Sequence, residues 1–151
     1  MATSESFVFW GVIIGDTNGF ILKKDAVTLE EYSKHQDIRD YLKAVNNQSS
    51  KFLIEKYKSE NCWGRTQSYI GLYSSMKLEI VTNYVIQTYN PAQYGLDFGY
   101  YVTRTPLDSA DEFNVRCIYG NIFTESDATL NTKLLSYYII TGIIRPEFIK
   151  R

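Results

Sequence analysis

Histidine is nearly absent from this 151-residue chain, which carries His35 alone. A proton relay or a metal triad built on histidine would have to work with one ring, and that ring lies in the polar run "EYSKHQD", which reads as surface. Cysteine is almost as scarce. Cys62 and Cys117 form no C-x-x-C pair and have no histidine pair nearby, which excludes a zinc framework. Both are expected to be reduced, with one or both buried, in a reducing compartment; a pairing between them stays open without geometry. Low-complexity tracts, internal repeats and linkers are missing, and so is any apolar run long enough to span a bilayer: "LLSYYIITGII" at 134–144 is too short.

An excess of charge of one sign is also missing. The 16 basic and 17 acidic residues give a formal net charge of -1, so no global attraction to nucleic acid or anionic membrane follows, and sequence-specific nucleic-acid binding is not expected. The phosphate-binding G-x-x-x-x-G-K-[ST], the dinucleotide G-x-G-x-x-G after a strand and the nucleophile G-x-S-x-G do not occur. Acidic pairs such as Glu30/Glu31 and Asp111/Glu112 sit in polar segments, where exposure accounts for them. "GDTNG" at 15–19 lacks the spaced carboxylates of a calcium loop and reads as a hairpin turn. No cofactor, metal or catalytic residue is assigned, and the expectation is a protein that is not an enzyme.

What is present is a globular composition, 44% hydrophobic with 22% charge, with a heavy load of 13 Tyr and 8 Phe. The length suits one domain over 1–151, with the small hydrophilic 1–6 as a loose end. "FVFWGVII" and "FILKK" around Asn18-Gly19 read as an opening β-hairpin. The first strand has no basic region or small-residue cleavage site of a signal peptide, so the chain is expected to stay intracellular, and the sequon at Asn47 to go unused.

Thr28 with Glu31 three residues later has the form of a capping box. Beyond it Ile38, Tyr41, Leu42, Val45, Phe52, Leu53 and Tyr57 recur at helical spacing, with "NNQSS" at 46–50 dividing the region into two helices and Gly64 ending it. From 67 the period changes to two. In "YIGLYSSMKLEIVTNYVIQTYN" (69–90), Ile70, Leu72, Met76, Leu78, Ile80, Tyr84 and Ile86 are expected to face a core and Lys77, Glu79, Asn83 and Gln87 water. One strand of that length would extend about 70 Å, so a turn or bulge is placed at Ser74-Ser75. Strands at 96–104 and 112–123 continue an antiparallel meander, stopped between by Pro106.

Thr124 or Ser126 is placed to cap a last helix that would bury Leu130, Leu134, Leu135, Tyr138, Ile139 and Ile143 and end by Pro146. The β-branched content of 130–144 leaves a strand reading open there. The fold class expected is α+β: an antiparallel sheet of about five to seven strands, packed against one or two helices from the N-terminal half and a C-terminal helix.

Two surfaces are candidates for function. Lys23, Lys24, Lys43, Lys51, Lys56 and Lys58 concentrate positive charge in the first half and would suit phosphates or anionic lipid headgroups if they gathered on one face. Tyr73, Lys77, Tyr100 and Tyr101 are candidates for a protein interface, since tyrosine anchors contacts well.

"YIGLYSSMKLEIV", read as two strands about a small-residue turn, resembles the central strand pair of the matrix proteins of non-segmented negative-strand RNA viruses. The order of elements around it is similar too, with bornavirus and plant rhabdovirus matrix proteins nearest in size. This resemblance implies a structural protein that self-associates, contacts the inner leaflet of an envelope and a viral nucleoprotein, and takes part in virion assembly. A trafficking adaptor of the longin type has a similar β-β-α-β-β-β-α order, and a pathogen inhibitor of a host protein would show the same bland surface chemistry.

Overall fold

Residues 28–151 are described by a computed structural model; the expected hairpin at 7–24, the loose end at 1–6, and Lys23 and Lys24 lie outside the described residues. The chain divides into two compact units, 1–44 and 45–151. Helix α1 (Leu29–Asn46), which begins in the first unit, opens on the expected capping box. The Thr28 hydroxyl accepts from the Glu31 N–H at 3.1 Å, and the Glu31 carboxylate accepts from the Thr28 N–H at 3.1 Å. Two of the donors that a helix start leaves unpaired are thereby satisfied, a contribution of about 1 kcal/mol. His35 is exposed, as its polar neighbours suggest, and Tyr41 is buried.

The second unit holds a five-stranded sheet in the order β1-β5-β4-β3-β2. Its strands are β1 (Lys51–Glu55), β2 (Leu78–Val81), β3 (Val85–Thr88), β4 (Phe98–Pro106) and β5 (Ala110–Tyr119), and every neighbouring pair is antiparallel. β2 to β5 form the expected meander, and the α+β class holds. β1 is a correction. Phe52 and Leu53 continue the helical spacing of α1, yet "KFLIE" is a strand whose Phe52 and Ile54 turn inward while Lys51, Leu53 and Glu55 stay exposed. Pairing with β5 decides it: Phe52 lies opposite Phe113, their rings stacked at 5.8 Å. Five residues are too few for spacing alone to separate a period of two from one of 3.6.

Helix α2 (Lys56–Tyr73) is the second correction, because it runs through Gly64 and over the first residues read as a strand. Both Gly64 and Gly71 have open space where a Cβ would stand, so neither marks a turn or a close approach. Each weakens the helix by roughly 1 kcal/mol, which tertiary packing offsets. The buried set Ser59, Cys62, Trp63, Thr66, Tyr69 and Ile70 follows helical spacing. Ile70 is buried and Leu72 exposed, so their shared parity was accidental and 69–73 is helix. The chain does turn at Ser74, which ends α2. The expected long alternation is therefore the end of one helix followed by a hairpin, in which the Thr82 hydroxyl accepts from the N–H groups of Tyr84 and Val85. The segment on which the matrix-protein resemblance rested is helix followed by strand, where a pair of strands was expected.

Helix α3 (Glu125–Thr141) settles 130–144 as helical up to Thr141. Thr124 stands at its N-terminus as expected, but its hydroxyl bonds the Asn121 carbonyl at 2.7 Å and leaves the helix uncapped. Gly142, at φ 76°, closes the helix in the left-handed conformation that glycine adopts without strain. Leu134, Leu135 and Ile139 are buried; Leu130 is half-buried and Ile143 exposed, against expectation, because the chain has left the helix by then.

α2 and α3 share one face of the sheet. Trp63 meets Phe113 edge-on at 5.8 Å, and Tyr69 meets Tyr100 at 5.9 Å. With Ile86, Val102, Leu135 and Ile139 fully buried among them, each large side chain contributes about 1.5–3 kcal/mol. The opposite face carries a row from Arg116 through Tyr101 and Gln87 to Ile80.

Candidate interaction surface

Alternation along β5 turns Asp111 toward the helices, and there it is buried with its charge. Lys56 Nζ lies 2.5 Å from Oδ1, Arg104 Nε donates to Oδ2 at 2.9 Å, and the buried Ser59 hydroxyl donates to Oδ2 as well. Arg104 also reaches Glu60 at 2.9 Å. Burial alone would raise the Asp111 carboxyl, but the bonds from Lys56, Ser59 and Arg104 outweigh it and hold the group at about 2. A carboxylate that acidic does not take a proton from a serine at neutral pH, and Ser59 is fully buried. The cluster fastens the first turn of α2 to the sheet. Sequence reading placed Asp111 on the surface because a polar neighbourhood hides the side that a strand turns inward.

Of the four described lysines expected in a phosphate or membrane patch, three lie against carboxylates. Lys51 is 3.3 Å from Glu112, Lys56 is bound to Asp111, and Lys58 is 3.3 Å from Glu55. Lys43 is exposed on α1. The four interface candidates also separate. Tyr100 is a correction: only 1% of it is exposed, and burial pushes its hydroxyl up, because even positions of β4 face the core. Tyr73 is half-buried, its ring 5.2 Å from Tyr69 and covered by the Arg151 guanidinium at 5.6 Å. Tyr101 is half-buried on the opposite sheet face, and Lys77 is exposed beside β2.

The edges of the sheet differ in how they end. On β1, Lys51 and Glu55 put charge at both ends, which discourages an added strand. β5 outruns β1, and its free side is met by Ser50, whose carbonyl accepts from Val115 N–H at 2.8 Å, and by α3, where the Thr132 hydroxyl accepts from Cys117 N–H at 2.9 Å. A polar cleft of about 330 Å³ remains there, between Asn114–Tyr119 and the first half of α3.

Among the described residues β2 has no such cover. Among the described residues β3 is its sole strand partner, and all four of its residues are exposed. Leu78 is 45% exposed, Ile80 40%, Val81 50% and Tyr84, in the following turn, 53%. The Lys77 carbonyl accepts from Tyr89 N–H and Thr82 N–H donates to the Val85 carbonyl, so both point toward β3. With the irregularity between Leu78 and Ile80 absorbing one residue, alternation leaves the backbone groups of Leu78 and Val81 pointing away from the sheet. An apolar strand with unpaired amides is a template for another strand.

No family model, curated protein or solved structure matches this chain. Among the described residues no cluster of histidine, cysteine and acidic side chains could hold a metal, and no helix is long and apolar enough to cross a membrane.

Proposed function

We propose that this protein works by protein contact, without catalysis, and that the contact is made along β2. The observation that carries the reading is the exposed apolar edge of Leu78, Ile80 and Val81, extended by Tyr84, in a sheet whose other free edges carry charge or are met by α3. Burying a few such side chains together with a short backbone ladder supplies enough free energy for reversible association. In its fullest form the reading is matrix-like: copies assemble with one another and with a viral nucleoprotein at the inner face of an envelope. The pairing of Lys51, Lys56 and Lys58 with carboxylates gives its membrane component less support than its protein component.

A photocrosslinking amino acid in place of Tyr84, in cells that naturally make the protein, tests the reading. Covalent adducts are expected, with their loss when Ile80→Lys is added. An absence of adducts under all conditions would contradict it.

A further inference from the structure

We infer that a rigid apolar knob at the start of α3 seats on a basic, apolar patch at the end of α3 in a second copy, so that copies join head to tail. The contact is separate from β2 and does not rest on it. The knob is made by residues 91–97 and 119–124. Four large side chains stand out there: Phe123 is 89% exposed, Tyr94 75%, Ile122 71% and Leu96 66%. An exposed apolar cluster of this kind marks a contact surface. Hydrogen bonds and close packing make the two segments one body. The Tyr94 N–H donates to the Gly120 carbonyl and the Gly95 N–H to the Ala92 carbonyl, each at 2.8 Å, and a Cβ on Gly120 would collide with the Ala92 carbonyl. Tyr94 takes a left-handed backbone, φ 65°, which a bulky residue adopts only under strain, yet it stays in solvent. A partner that buries the ring accounts for the strain.

Charge selects the occupant. Residues 91–97 and 119–127 hold Asp97, Glu125 and Asp127 and neither Lys nor Arg. The complementary chemistry, apolar with positive charge, occurs at the other end of α3. There Ile143 is 52% exposed and Ile140 37%, and the Arg65 guanidinium donates to the Ile139 and Ile140 carbonyls at 2.9 and 3.3 Å. Residues 139–146 carry Arg145 and no acid, with Glu147 following at 3.7 Å from the Arg145 guanidinium. Apolar side chains of the knob thus find apolar side chains on the patch, and its acids find Arg65 and Arg145. The 17 residues of α3 put about 25 Å between the two surfaces, so a copy cannot satisfy itself and offers both. Repeated from copy to copy, a contact between two different surfaces closes into a ring or runs on as a filament. An anionic bilayer suits the knob less well, because its headgroups repel the acids beside the apolar cluster.

Sedimentation velocity over a concentration series tests the contact on the full chain carrying Ile80→Lys, which removes any contribution from β2. Dimers or larger species are expected, and they should dissociate as salt rises. Phe123→Asp on the knob and Ile143→Asp on the patch, each added to that chain, should weaken association about thirtyfold. An equimolar mixture of the two variants keeps one intact knob and one intact patch per pair, so it is expected to form a 1:1 dimer and nothing larger. Circular dichroism checks that both keep the original fold, and Phe123→Ser and Ile143→Ser replace a variant that does not. A monomer at all concentrations, association indifferent to both substitutions, or a mixture that stays monomeric overturns the inference and leaves the β2 reading untouched. If the monomer instead floats with phosphatidylcholine vesicles and Phe123→Asp does not, the knob contacts lipid and the second copy is the wrong occupant.

Discussion

The Lys56 ammonium lies 2.5 Å from the Asp111 carboxylate, joining the first turn of α2 to the start of β5 across 55 residues of sequence. Asp111 is also held by Arg104, so two cations depend on one buried anion. Asp111→Ala leaves both without it and is expected to cost about 3–5 kcal/mol in chemical denaturation. Ser59→Ala removes a single hydrogen bond and should cost roughly 1–3 kcal/mol. Equal and small effects from the two substitutions would show that the cluster does not fasten α2.

The same carboxylate gives the fold an acid limit. Asp111 is held at about 2, below its ordinary 3.8, so its contribution is complete above about pH 4 and disappears as pH falls toward 2. That contribution is about 2 kcal/mol. Urea denaturation at stepped pH should show stability falling across this window, with a shallower fall in Asp111→Asn. An identical fall in both proteins would assign acid sensitivity to other groups.

Neither cysteine should react in the native protein. Burial pushes the Cys117 thiol up to about 12 and raises Cys62 as well, so the reactive thiolate is scarce at neutral pH and access is closed. A thiol reagent should label neither before unfolding and both after it. Native labelling at the rate of an exposed thiol would contradict the burial of α2 and β5 residues described here.

Much of this architecture is legible in the sequence where local signals agree with packing. The capping box of Thr28 and Glu31, the strands on either side of Pro106, and the helix containing Leu134, Leu135 and Ile139 are all of that kind. The failures come where a short segment satisfies two periods. "KFLIE" continues helical spacing yet pairs with β5, and Ile70 and Leu72 alternate yet belong to a helix that Trp63, Tyr69 and Ile70 bury against the sheet. The site was legible only in part. Lys77 was named as a contact residue, but the exposure of Leu78, Ile80 and Val81 was not foreseen, because alternation normally implies a buried face and an edge strand lacks the neighbour that would cover it. Asp111 was hidden for the converse reason: its partners Lys56, Ser59 and Arg104 are distant in sequence.

Hydrogen exchange at the backbone amides of Leu78 and Val81, compared between the purified protein and the protein recovered with its contact partner, tests the role of the β2 edge most directly. Both amides point away from β3, so in the isolated copy they should exchange rapidly. Protection of both amides in the associated protein, lost when Ile80→Lys breaks the contact, is the expected result. Amides that stay unprotected while the contact partner is bound would place the contact elsewhere on the molecule and contradict the account.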